Sequence, residues 1–387
     1  MIDCNYSEPN QLIINIQNQE EIMAGSIFGN IFKISTWGES HGKAIGVVID
    51  GCPAGLSLDE QDIQPFLNRR KPGQSIYSTP RKEDDAVEIL SGVFEGKTTG
   101  TPISMIVYNK SQQSKDYSEI ASYYRPGHAD YTFDSKYGFR DYRGGGRSSG
   151  RETIARVAAG AVAIKILNQL GITFTTYTQS IGEVEIDYSR FDAEEILHNK
   201  LYMPDAVAAQ KAGDYIIEMS KNHNSVGGCV EAVIKGVPAG LGDTVFEKLD
   251  ANLAKAIMSI GAVKAIEIGS GTKAAKLTGS ENNDEFEYTN NQITKKTNHA
   301  GGILGGMSDG DDIILRASFK ATPSILKEQH TVNKQNENIE ISIKGRHDPI
   351  VVPRAVVVVE AMSALTILDA LLLNMTAKLD HLTKFYC

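Results

Sequence analysis

The sequence predicts an α+β chain made of two related halves, with two sheets and helices between or against them. Three observations carry this expectation. The segment G-x-P-A-G-L occurs twice, at 51–56 and 236–241, each time after a β-branched run (AIGVVID, 44–50; CVEAVIK, 229–235) and before an amphipathic helical pattern. No clean linker separates the two copies, so an internal strand-turn-helix repeat within one fold is expected. A composition of 41% apolar and 22% charged residues over 387 positions is that of a globular chain able to bury a large core.

Taken in order, residues 1–22 are rich in Asn, Gln and Glu with a short apolar patch at 12–16, and read as a poorly ordered extension. Residues 23–387 read as a single domain. NIFKISTW (30–37) and AIGVVID are strands, joined by GESHGK, which puts Ser40 and His41 on a tight connection. Gly38 to Gly42 fits the GxSxG pattern of a hydrolase elbow, but that motif leads from strand into helix, whereas a second β-branched run follows here. His41 is better read as an acid or base carried on a loop. Between the halves, 178–226 is polar and aperiodic, a surface excursion with helix around 205–221; 280–300 reads as a long loop. NHAGGILGGMSDG (298–310) holds five glycines, Gly301, Gly302, Gly305, Gly306 and Gly310, that would let backbone approach a flat or phosphorylated ligand. It precedes the strand DIILRASF (312–319), so it does not match a dinucleotide fingerprint. A last helix, 360–378, is apolar nearly all round and belongs to the core.

The densest chemistry lies at 125–167. Arg125, Arg140, Arg143, Arg147, Arg151 and Arg156 outnumber the acids Asp130, Asp134, Asp141 and Glu152, in a chain whose formal net charge is -9. Ser149 and Glu152 have the spacing of a capping box, and Ile154, Val157, Ala158, Ala161 and Val162 form the apolar face of the helix they would open, which Gly171 would stop. A buried Ala- and Gly-rich helix with its N-terminus facing out of the core is a site for phosphate or carboxylate. Some of these arginines would serve as ordinary ion pairs with the four acids. His41, His128 and the run Arg346-His347-Asp348 each set a titratable group beside arginine and glycine, and histidine is suited to proton transfer near neutrality. The residues alone therefore point to an enzyme acting on a small phosphorylated, carboxylated substrate.

The acidic balance argues against nucleic acid and anionic membrane as partners. Cys4, Cys52, Cys229 and Cys387 are widely spaced, which suggests no disulfide framework, no zinc site and a reducing cytoplasm. No run was expected to have the length of a membrane span. RGGGR could suit an RNA binder, but it is a single run in an acidic chain; a flavin or nicotinamide oxidoreductase is the closer rival.

Five segments, WGESHGKAIGVVIDGCPAGL, RPGHADYT, RDYRGGGRSSGRETIARVAAGA, NHAGGILGGMSDG and GRHDP, resemble in order the motif set of the chorismate synthase family, from about Met23 to the last helix. The resemblance implies a β-α-β sandwich with central helices between two antiparallel sheets, assembled as a homotetramer. It implies an anti-1,4-elimination of phosphate from 5-enolpyruvylshikimate 3-phosphate to give chorismate, dependent on reduced FMN, with NADPH serving only indirectly to reduce the flavin. By motif, His41 would protonate the leaving phosphate, His128 the reduced flavin, and Asp348 would assist proton removal, with Ser40 and Ser148 or Ser149 tuning these groups. Arg147, Ser148, Ser149, Gly261, Ala262, Gly305, Lys320, Ala321, Thr322, Pro323, Ser324 and Arg346 would form the flavin site, and Arg70, Arg125 and Arg151 the substrate site; no metal is implied. The chain departs from the family pattern at Ile76, where an arginine is common, at Gly261, and in KATPSI (320–325). The family start resembles Met23-Ala24-Gly25, so 1–22 is expected to be an upstream extension or a misassigned start.

Overall fold

The computed structural model describes residues 25–78, 83–110, 119–289, 291–343 and 348–387. The expected extension at 1–22 lies outside the described residues. Two five-stranded sheets enclose a layer of helices. In the N-terminal sheet the order is Ile27–Phe28, Lys33–Gly38, Ala44–Asp50, Ile103–Tyr108, Val87–Ile89; in the C-terminal sheet it is Val184–Glu185, Thr173–Ile181, Gly228–Lys235, Ile313–Phe319, Val263–Ile268. Every neighbouring pair is antiparallel. Period-two burial explains the layering. Ile45, Val47 and Ile49 are buried, as are Ile103, Met105 and Val107, and so are Val230, Ala232 and Ile234 with Ile313, Leu315 and Ala317. The helix Thr153–Gln169 packs on the N-terminal sheet and the helix Val352–Asn374 on the C-terminal one.

These two central helices also pack on each other, and they do so backbone to backbone. A Cβ placed on Gly160 would lie 2.3 Å from Ala361 Cβ and 2.6 Å from its Cα, so no other residue fits at this crossing without moving a helix. The apolar face expected for the first helix, Ile154, Val157, Ala158, Ala161 and Val162, is buried. Gly171, at φ +76°, ends it, with the Ile172 N–H donating back to Leu167 at 3.0 Å.

The repeat is structural. Gly51 and Gly236 stand at φ +78° and +79°, and Gly55 and Gly240 at +90° and +97°. Each loop docks on a hairpin, Val93–Phe94 with Lys97–Thr98 in one half and Ile303–Leu304 with Met307–Ser308 in the other. Thr98 Oγ1 donates to Pro53 O (2.7 Å) and accepts from Leu56 N–H (3.0 Å); Ser308 Oγ donates to Pro238 O (2.6 Å) and accepts from Leu241 N–H (2.9 Å). One side-chain hydroxyl thus fixes each turn to its hairpin in the same way.

Several expectations are corrected. The capping box does not form: Ser149 Oγ accepts from Arg151 N–H, short 3₁₀ turns occupy Gly146–Ser148 and Gly150–Glu152, and Glu152 pairs instead with Arg156 at 3.0 Å. A full charge within reach outcompetes the backbone N–H. The 280–300 stretch carries the hairpin Phe286–Thr289 with Gln292–Lys295, pinned by Lys295, whose ammonium lies 2.6 Å from Asp309 and 3.1 Å from Asp311. Within 178–226 the helix is Ala206–Lys221, capped by Asp205, but Thr178 to Ile181 belong to the sheet. The helix expected at 360–378 runs instead over Val352–Asn374, starting eight residues early because burial between the layers overrides the β preference of its valines, and a further helix, Leu379–Tyr386, follows it. At 23 residues Val352–Asn374 is also long and apolar enough to cross a membrane, against expectation, yet most of it is buried inside the sandwich. Its Glu360 pairs with Arg69 at 2.8 Å, and Asp369 accepts from the backbone N–H groups of Asn30, Ile31 and Phe32.

Gly160→Ala should lower stability by about 1–3 kcal/mol through overpacking. Adding Ala361→Gly should recover part of it, less the roughly 1 kcal/mol that glycine costs within a helix. Thermal melts of the single and double variants check this; a Gly160→Ala protein melting with the parent would refute the close crossing.

Candidate active site

The N-termini of both central helices open on one cleft of about 560 Å³, within the range of small-molecule and cofactor sites. Thr153 lines it from the first helix and Arg151 from the 3₁₀ turn just before it; Arg354, Ala355 and Val358 line it from the second helix, with Val351 at its N-cap. Two helix dipoles therefore present their positive ends to one space.

Arg70, Arg125, Arg151, Lys264, Lys320 and Arg354 line the cleft, against one acid, Asp348. Behind them, among the described residues, Asp85, Glu83 and Asp130 act as counter-ions, Asp130 also meeting Arg140 at 3.8 Å, so the cations around the cleft outnumber the acids. Arg70 is 1% exposed; burial drags its pKa down to about 10, against the pull of Asp85 at 2.5 Å, and it stays charged at neutral pH. Asp85 also meets Arg151 at 2.9 Å, and although burial pushes its carboxyl up, the two guanidinium groups outweigh it and hold the pKa below the usual carboxylate range. Arg125 clasps Asp130 with Nε and Nη2, both at 2.8 Å, with the same net effect on that carboxyl. Arg354 joins Asp348 to the carbonyl of Arg70. Arginines at helix N-termini oppose the dipole, a placement that an anionic ligand would relieve.

His41 is 8% exposed, in the turn joining strands Lys33–Gly38 and Ala44–Asp50. Ser40 Oγ donates to Gly144 O at 3.1 Å and lies 3.2 Å from His41 Nδ1. With the hydroxyl proton committed, Nδ1 is the donor in this contact and the neutral ring carries its lone pair on Nε2. Strand follows strand here, so the hydrolase elbow is excluded. His128 Nδ1 lies 3.1 Å from Pro126 O, which can only accept, so Nδ1 carries hydrogen and Nε2 meets Ser324 Oγ at 2.9 Å. Lys320 Nζ donates to Gly127 O at 2.8 Å, latching the two segments; burial, then Lys264, lowers its pKa.

The cleft brings together Ser40, His41, His128 and Asp348, then Arg70, Arg125 and Arg151, and, of the expected flavin residues, Ser148, Ser149, Gly261, Ala262, Lys320, Thr322, Pro323 and Ser324. Three expected residues are not on its wall. Gly305, at φ +62°, turns the second hairpin with Gly306, where the equivalent position is Glu95 at +48°, while Gly301 and Gly302 pack against Gly269 and Asp312. Ala321 packs with its peptide against Gly227, where a Cβ would come within 3.0 Å of its nitrogen. Arg147 turns away and donates to Thr36 Oγ1 at 2.7 Å, to Gly38 O at 3.2 Å and to Ser26 Oγ at 3.3 Å. Arg346 lies outside the described residues, and Ile76 is 81% exposed away from the cleft.

Of the other arginines in the dense stretch, Arg140, Arg143 and Arg156 pair with Asp134, Asp141 and Glu152. Lys264 and Asp85 carry no local mark in the sequence, and Arg354 only a weak one. Arg354 had a signal: an arginine in an apolar helical run needs a buried partner. Arg147→Ala should lower the melting temperature, at about 1–3 kcal/mol for the acceptors left unpaired, and leave phosphate affinity within about threefold. Melting and calorimetric phosphate titration of one preparation check this; a large loss of affinity would return Arg147 to the ligand site.

Comparison with known proteins places the chain in a family. A family model described as chorismate synthase matches residues 32–372. The chorismate synthase of Agathobacter rectalis is 71% identical over 364 residues, 94% of this chain and 99% of that protein. That of Methanococcoides burtonii is 55% identical over 90% of this chain and 96% of its own. A solved crystal structure of chorismate synthase superimposes with a TM-score of 0.72 at 31% identity, covering 92% of this chain and 96% of the other. A match of this length, over both helix N-termini and the histidine turns, means that the chain belongs to the chorismate synthase family, lyases of the shikimate pathway to aromatic compounds.

Proposed function

We propose that the cleft binds 5-enolpyruvylshikimate 3-phosphate together with reduced FMN and catalyses the anti-1,4-elimination of phosphate that yields chorismate. The observation that carries this is the convergence of six cations and two helix N-termini on one cleft holding two histidines and a carboxylate. The cleft also fits a flavin on its own terms. Among the described residues its wall carries the ammonium groups of Lys264 and Lys320 and the hydroxyls of Ser148, Ser149 and Ser324 beside the backbone of Gly261 and Ala262, a donor set suited to a flavin's phosphate and ring carbonyls. Gly144 brings backbone against the His41 ring, where a Cβ would lie 2.1 Å away, and Gly127 brings the His128 loop against Pro323, where a Cβ would lie 2.8 Å away.

Lys320 and Thr322 to Ser324, with Gly261 and Ala262, would hold the flavin, together with Ser148 and Ser149. Held there, reduced FMN would supply electron density to the allylic system without being consumed overall. The remaining steps belong to the chain. Arg70, Arg125 and Arg151 hold the phosphate and carboxylates of the substrate. His41 gives a proton through Nε2 to the departing phosphate as the carbon–oxygen bond breaks. His128, with Nδ1–H committed to Pro126 O, keeps its exchangeable proton at Nε2 under the control of Ser324. Asp348, oriented by Arg354, assists removal of the ring proton. We further take the working form to be a cytoplasmic homotetramer, with NADPH acting only on the flavin; exposed apolar side chains such as Phe246, Phe385 and Tyr386 favour assembly.

The test is phosphate release from the enolpyruvyl substrate with and without reduced FMN. Release only with reduced flavin, and no stoichiometric flavin oxidation, is expected; net oxidation would favour an oxidoreductase. His41→Asn and His128→Asn should fold and lose about 10²–10⁴ in turnover. Near-parental rates in both would defeat the assignment.

A further inference from the structure

We infer that Asn109 is a positioning residue that fixes the His41 turn relative to Arg151, an inference that rests on the function proposed above. Asn109 follows the strand Ile103–Tyr108, and its backbone N–H donates to Lys43 O at 3.0 Å, beyond the far side of the same turn. Its amide nitrogen donates to Glu39 O at 3.0 Å and Gly42 O at 2.8 Å, and its amide oxygen accepts from Arg151 Nε at 2.5 Å. The orientation is forced: two carbonyls can only accept and a guanidinium can only donate. One planar group therefore clamps both ends of the turn carrying Ser40 and His41 and holds the arginine at its other edge.

The clamp closes a chain of contacts across the cleft floor. Arg151 continues to Asp85 at 2.9 Å, and Asp85 to Arg70 at 2.5 Å. On the opposite side Ser40 Oγ donates to Gly144 O, and a Cβ on Gly144 would strike the His41 ring. His41 is thus caught between Gly144 and a turn whose carbonyls are pinned, at a spacing from Arg151 that a single amide sets. Proton transfer to a leaving group tolerates little error in that spacing. Aspartate would keep the acceptor for Arg151 but lose both donors and turn an anionic oxygen toward two carbonyls; alanine would lose all three bonds.

Asn109→Asp and Asn109→Ala separate these links. Isothermal titration with inorganic phosphate, which needs no turnover, reports the Arg151 side; kcat and KM for phosphate release report the His41 side. Asn109→Asp should bind phosphate within about threefold of the parent while kcat falls at least about tenfold with KM little changed. Asn109→Ala should lose kcat and also weaken phosphate. Parental kcat in Asn109→Asp, or lower melting temperatures in both with kcat and phosphate affinity per folded molecule unchanged, would overturn the inference. Should one variant fail to fold, the other still decides: a folded Asn109→Ala with parental kcat refutes the clamp by itself. A parent that binds no phosphate would refute the anion reading of Arg151, and a parent that binds phosphate but turns over no enolpyruvyl substrate would refute the proposed function, each separately from the role of Asn109.

Discussion

Everything in this fold depends on how closely two helices can approach. At Gly160 and Ala361 the helices Thr153–Gln169 and Val352–Asn374 touch with no side chain between them, each already covering its own sheet. That contact joins the two halves of the repeat into one continuous core. It also decides where chemistry can occur, because helices that cross near their middles, with both N-termini toward the same end, deliver two positive dipole ends to one cleft. The helix interiors are spent on packing, and the reactive groups are left to the turns and helix starts around that end.

Charge is then arranged against the grain of the chain. Six cations surround the cleft in a protein of net charge -9, and two of them, Arg151 and Arg354, stand where a helix N-terminus disfavours them. Asp85 and Asp348 make this tolerable in the absence of ligand by holding guanidinium groups in fixed directions. Asp85 does so from a left-handed backbone position, φ +47°, a conformation that aspartate tolerates better than most residues. Burial of these pairs contributes little net stability, since desolvation offsets the Coulombic gain. Their value lies in direction: they aim donors at a place where a polyanion must sit.

Much of this was legible from residue order, and the failures have physical causes. The G-x-P-A-G-L repeat announced the two halves because left-handed turns demand glycine at fixed places. His41 and His128 stand out as histidines flanked by glycine on loops, and Asp348 through the run Arg346-His347-Asp348. Arg147 looked like its neighbour Arg151, and no local feature distinguishes them; only the strand Lys33–Gly38, more than a hundred residues earlier, shows that Arg147 serves its carbonyls. Gly305 was misread for a related reason, since hairpin turns and ligand loops both call for positive φ. Glu152 has the spacing of a capping residue, yet Arg156 one turn on claims it. Asn109 and Asp85 were invisible because their roles consist wholly of long-range contacts.

Amide hydrogen exchange of the whole protein, with and without phosphate and reduced FMN, tests most directly the claim that the joined helix N-termini are the ligand site. The account predicts slowed exchange on ligand addition at 148–153, 320–324 and 351–355, with the hairpin at 303–308 unchanged. Protection at the glycine-rich hairpin, with none at the two helix starts, would contradict it.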